Sequence, residues 1–185
     1  MKKGFLGIDE SNNGRYPRIY VCTFSVNPDD IEKKSPSLEK IRKNQDLERV
    51  LGGREFKYTP ISKEEDDIIG QKKMSTIVFS EFIYYYMKKY HNIQEVIIDG
   101  CVPSSIINNV VGVIKNIMPS EDIPNISAIP HADELFPIVN ASDGIANLVM
   151  HKYYEPRRKR KRENSKEHLQ FRLTPKVEDY LEYLF

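Results

Sequence analysis

Gly4-Phe5-Leu6-Gly7-Ile8-Asp9-Glu10-Ser11 is an apolar run that ends in two adjacent carboxylates, and Asn12, Asn13 and Gly14 follow it. Side chains alternate along a strand, so Asp9 and Glu10 are expected on opposite faces. Gly4 and Gly7 flank the run, and a glycine inside a strand marks close approach of another backbone. Carboxylates at the C-terminal end of a buried strand sit where open α/β sheets hold their ligands. An ordinary strand-to-turn transition would also produce these residues, so the rest of the chain has to decide.

From this strand the pattern extends in both kinds of pairing. Arg18–Val26 alternates, with Ile19, Val21 and Thr23 on one side and Tyr20, Cys22 and Phe24 on the other. Its short link to the first strand predicts an antiparallel hairpin. Pro28–Pro36 reads as loop, Ser37–Leu51 as a helix closed by Gly52-Gly53, and Arg54–Thr59 as a third strand. Ser62, with Glu65 three residues on, is a capping box for one long helix from Lys63 to Tyr90. In it, Tyr84, Tyr85 and Tyr86 suit either covering a sheet or stacking on bases.

Glu95–Gly100 is β-branched without alternation and ends in Asp99-Gly100, the signature of a strand buried on both faces. Pro103–Met118 follows as a helix with Ser104 or Ser105 as its cap, then a strand over Ile123–Ile129, then a helix from Pro137 to about Tyr153. Strand–helix alternation in this half predicts parallel pairing. The fold class expected is α/β, a mixed sheet with a hairpin first, parallel strands after it and helices on both faces.

Length and composition agree with a soluble globular domain. The chain has 185 residues, 39% of them hydrophobic, and a net charge of +1, so bulk charge selects no partner. Cys22 and Cys101 lack metal-ligand spacing and read as buried thiols of a reducing compartment. No signal peptide or membrane-length apolar run is visible, which leads to the expectation of a cytoplasmic protein. The one break in composition is Arg157-Arg158-Lys159-Arg160-Lys161-Arg162, six consecutive cations before a last short helix, Pro175–Phe185. Such a run suits a solvated tail or salt-dependent contact with nucleic-acid phosphates.

Acidic residues recur where elements meet loops: Asp9 and Glu10, Asp99, and Asp133. A further one, Asp143, lies within the late helix on a polar stripe with Asn140 and Asn147, facing either solvent or an internal polar site. Magnesium prefers hard oxygen ligands. Two such ions about 4 Å apart activate a water and stabilise the leaving oxygen of a phosphodiester. Four carboxylates gathered without a cation would repel one another. His131, beside Asp133, suits a metal ligand, a proton shuttle or a local hydrogen bonder.

Gly7-Ile8-Asp9-Glu10, Ile97-Ile98-Asp99, and Ala132-Asp133 four residues before Pro137, with Ala141 and Ile145-Ala146 beyond, resemble the type 2 ribonucleases H. The resemblance spans Gly4 to about Tyr153. It implies a ribonuclease H-like fold over residues 1–155, with residues 156–185 as a basic segment and C-terminal helix. It also implies a magnesium- or manganese-dependent nuclease acting on RNA–DNA hybrid or structured DNA. Its catalytic and metal-binding residues would be Asp9, Glu10, Asp99 and Asp133, joined by Asp143. Nucleic acid would be contacted by Arg15, Lys57 and the Arg157–Arg162 run, Lys57 through a match of Glu55-Phe56-Lys57 to the family's D-S-K segment. The sequence departs from the family in two places. Ser11-Asn12-Asn13 separates the acid pair from a reduced Gly14-Arg15 in place of the glycine-arginine-glycine loop. Asp143 and Asn147 stand where the family has serine and lysine, and an aspartate there is like other branches of the superfamily, including Holliday-junction resolvases. Junction specificity therefore does not carry over. A non-catalytic nucleic-acid-binding module of the same fold is the rival reading, and a hydrolase of small phosphate esters a third.

Overall fold

A computed structural model describes residues 3–11, 16–41 and 46–150. Arg15, the Arg157–Arg162 run and the Pro175–Phe185 helix lie outside the described residues. Five strands form one sheet: β1 (Gly4–Ser11), β2 (Arg18–Ser25), β3 (Glu55–Ile61), β4 (Ile93–Asp99) and β5 (Asn125–Ile129). The spatial order is β3-β2-β1-β4-β5. β2 pairs antiparallel with β1 and β3, while β4 pairs parallel with β1 and β5. The mixed sheet expected from the sequence is therefore present, with β1 at its centre.

Alternation divides the core. Leu6, Ile8, Tyr20 and Cys22 face α3 (Gln71–Tyr90) and α4 (Ser104–Ile117). Ile19 and Val21 pack instead with Ile145, Ala146 and Val149 of α6 (Pro137–Val149), and Phe5 with Ile138 and Val139 of the same helix. Tyr84 and Tyr86 are buried. The Phe24 ring stacks on those of Tyr86 and Tyr90 at 5.4 and 4.0 Å. The tyrosine run thus mainly covers the sheet.

Four expectations need correction. The helix expected over Ser37–Leu51 is confined to α1 (Leu47–Leu51). Leu38 N–H instead donates to the Glu134 carbonyl, and Ile41 packs against Gly144, so tertiary contacts override a weak propensity. The long helix is two helices, α2 (Lys63–Ile69) and α3, because Gly70 adopts φ +87° between them, a conformation open to glycine. The Ser62–Glu65 capping box is present at the start of α2. Ser104 and Ser105 do not cap α4, whose N-cap is Pro103. Cys22 is buried as expected, but Cys101 is exposed in the turn after β4. The Pro28–Pro36 loop also contains a short 3-10 turn at Pro28–Ile31.

Candidate metal centre

β1 and β4 run side by side and in parallel, so Asp9 and Asp99 reach the same end of the sheet. Asp133 arrives from α5 (Ala132–Leu135), the short helix after β5, and Asp143 from α6. Close packing of α6 on β1 makes the meeting possible. Ser142 Oγ donates to the Gly7 carbonyl at 2.8 Å, and Thr23 Oγ1 meets both the Ile138 carbonyl at 2.7 Å and Ser142 Oγ at 2.9 Å. These contacts lie one residue from Asp143 and two from Asp9.

These acids lie within reach of one another's charge. Burial pushes the Asp9 carboxyl well above its ordinary range, and the charges of Asp143, Asp99 and Asp133 push it further. Asp143 is raised by burial and then by Asp133, against the opposing pull of Lys40 and of a hydrogen bond from Asn147. Asp99 is raised by burial and by Asp133, although its Oδ1 accepts the backbone N–H groups of Ala132 at 2.6 Å and Asp133 at 3.4 Å. Those two bonds fix how the Asp99 carboxylate is turned. Asp133 is buried, and Lys40 Nζ stands 3.4 Å from its Oδ2.

The polar stripe of α6 therefore faces an internal polar site. Asn147 Nδ2 donates to Asp143 Oδ1 at 3.0 Å, and buried Asn140 donates to the carbonyls of Asp133 and Glu39. His131 sits in the left-handed region at φ 58° and heads α5. His131, Asp133 and Glu134 each bring one candidate ligand atom within 4.8 Å of the others.

Glu10 is paired with Arg18. Its side chain lies on the α3 face, where both oxygens meet Arg18 Nη1 at 3.2 Å. It lines a cleft of about 470 Å³ between the ends of β1 and β4 and the first turns of α3 and α4, together with Asp9, Asp99, Lys72 and Phe79. Lys57 is also on the α3 side, 4.2 Å from the Tyr85 ring centre and 3.7 Å from buried Glu81. Three contributors were not singled out from the sequence: Lys40, Asp66 and Arg18. Arg18 had a signal, a cation opening an otherwise apolar strand.

Several solved structures share this architecture. One is the ribonuclease HII of Archaeoglobus fulgidus in its complex with PCNA, with TM-score 0.55 and 18% identity, covering 80% of this chain and 72% of that one. The fold is ribonuclease H-like. The second is a mutant of Bst-RNase HIII, with TM-score 0.54 and 16% identity; the match covers 80% of this chain but only 52% of that one. No protein-family model matches the chain, and no curated protein matches it by sequence. The ribonuclease H-like sheet accounts for where the acids meet, since its central parallel pair ends at Asp9 and Asp99. Among the described residues no helix is long and apolar enough to cross a membrane.

Proposed function

We propose that this chain is a divalent-metal-dependent nuclease that hydrolyses phosphodiester bonds of nucleic acid. The observation that carries the reading is that Asp9 and Asp99 end the adjacent parallel strands β1 and β4, with Asp133 and Asp143 near enough for their charges to raise the Asp9 carboxyl. Such a cluster is costly as bare anions, and its all-carboxylate donor set suits magnesium or manganese. Both fold neighbours are ribonucleases H by name.

These four aspartates would hold the ions, which when bound supply Lewis-acid activation of water and stabilisation of the leaving oxygen. The chain's own groups do the rest. Asp99 is oriented by the Ala132 and Asp133 amides. Asn147 tethers one oxygen of Asp143, and Lys40 balances part of the charge at Asp133. Arg15 and the Arg157–Arg162 run would contact phosphates and add affinity that falls with salt.

Incubation with end-labelled RNA–DNA hybrid, duplex DNA and branched DNA, each with magnesium or manganese, tests the proposal. Cleavage of at least one substrate, lost in chelator, is expected. Binding without products on every substrate would favour the non-catalytic module.

A further inference from the structure

Among the described residues, His131, Asp133 and Glu134 bring one imidazole nitrogen and two carboxylate oxygens within 4.8 Å of one another. One helical turn puts them there. The Glu134 amide donates to the His131 carbonyl at 3.1 Å, so residues 131 and 134 are neighbours on the turn, with Asp133 beside them. Their backbone is held from outside. Asn140 of α6 donates to the Asp133 carbonyl at 2.9 Å, the Asp133 amide meets Asp99 Oδ1 at 3.4 Å, and the Leu38 amide donates to the Glu134 carbonyl at 2.8 Å. The three donors therefore project from a fixed turn, and side-chain rotation suffices to close them on an ion.

The Asp133 carboxylate is short of partners. The residue is 7% exposed, yet among the described residues the one cation beside its carboxylate is Lys40, 3.4 Å from Oδ2 and itself 67% exposed. No hydrogen bond from a described residue reaches Oδ1. A buried carboxylate is costly unless it is paired and hydrogen-bonded, and an exposed lysine compensates it weakly. His131 is exposed and Glu134 half-buried, so the trio opens to solvent on the side from which an ion would enter.

Donor type decides which ion fits. Magnesium prefers oxygen alone, whereas imidazole suits zinc, cobalt and nickel. We propose that His131, Asp133 and Glu134 form a second cation position at the rim of the four-aspartate cluster, one that takes Zn²⁺ and similar late first-row ions in preference to Mg²⁺. Asp133 serves both positions, while His131 and Glu134 serve this one alone. Water completes the coordination, as it does at zinc sites with three protein ligands. The position lies outside the nuclease reading, in which neither His131 nor Glu134 takes part.

The test uses the full chain, freed of metal and titrated by calorimetry with Zn²⁺ and, separately, with Mg²⁺, while NMR follows the histidine ring nitrogens. Zn²⁺ is expected to shift a ring nitrogen of His131, and to bind about tenfold or more weakly to His131→Asn and to Glu134→Gln. Mg²⁺ affinity should stay within about threefold of the parent in both. Asparagine tolerates the left-handed backbone that His131 adopts, and neither side chain is buried, so both variants are expected to fold, which urea unfolding checks. A histidine that only shaped the turn would alter the urea midpoint and leave its ring untouched by Zn²⁺. Unchanged Zn²⁺ affinity in His131→Asn, an unperturbed His131 ring, or equal weakening of Zn²⁺ and Mg²⁺ overturns the proposal.

Asp133→Asn separates this position from the nuclease reading. It is expected to weaken both ions. Loss of Zn²⁺ alone in that variant upholds the trio and counts against the aspartate cluster, whereas loss of Mg²⁺ alone overturns the trio. Failure of the parent to bind Mg²⁺ counts against the nuclease reading, and the Zn²⁺ titrations then decide on His131.

Discussion

A side-chain carbon on Gly7 would lie 2.7 Å from the carbonyl carbon of Ile138 and 2.8 Å from its oxygen. Helix α6 thus rests directly on the β1 backbone, and it is this helix that brings Asp143 to Asp9. Backbone cannot yield as a side-chain tip can, so Gly7→Ala must push α6 outward. A loss of about 1–3 kcal/mol in urea unfolding is expected, together with weaker Mn²⁺ binding. A variant as stable as the parent would show that the helix is free to shift.

Asp9→Asn should stabilise the metal-free protein. The Asp9 carboxyl is raised by burial and by Asp143, Asp99 and Asp133, so the folded state binds its proton more tightly than the unfolded chain, whose carboxyl titrates near about 3.9. The sign follows from linkage: between the unfolded value and the higher folded one, stability falls as pH rises, and above that window the deficit is constant. Each unit of elevation corresponds to about 1.4 kcal/mol. The variant is expected to melt about 2–4 °C higher per kcal/mol gained at pH 7 in EDTA, with the advantage shrinking toward pH 4. A melting difference independent of pH would remove this explanation.

Divalent ions should reverse that ranking. The parent gains stability on Mn²⁺ addition by mass action, while Asp9→Asn and Asp99→Asn gain little and cleave no substrate. Nucleic-acid binding in chelator should persist in both. Thermal shift with and without Mn²⁺, beside a cleavage assay, reads all three outcomes. Full metal-dependent cleavage by either variant would dispose of the assigned cluster.

Ser62 accepts the Glu65 amide, while Glu65 accepts the Ser62 amide at 2.7 Å. Ser62→Ala should cost about 1 kcal/mol, read by urea unfolding. Because α2 carries Asp66, the effect should spread to the Arg18 contacts and appear as faster hydrogen exchange at Tyr16 and Arg18.

The sequence and the fold agree where local chemistry is strong. Val21 and Tyr20 separate onto opposite faces because strand side chains alternate. Gly52 ends α1 in the left-handed region, and His91 does the same for α3. Agreement fails where distant contacts intervene. Ile41 is held against Gly144 rather than in a helical turn, and Gly70 divides a periodic stretch that reads as continuous.

By itself the sequence determined the order of the strands, the central strand, and the opposite directions of Asp9 and Glu10, because strand periodicity is a local property. Only the tertiary structure decided which acids come within reach of one another's charge. Asp143 comes within reach of the Asp9 charge through the packing of α6 on Gly7, and Glu10 meets an arginine anchored on α2. Both depend on contacts between residues 48 to 135 positions apart, whose pairing no local pattern encodes.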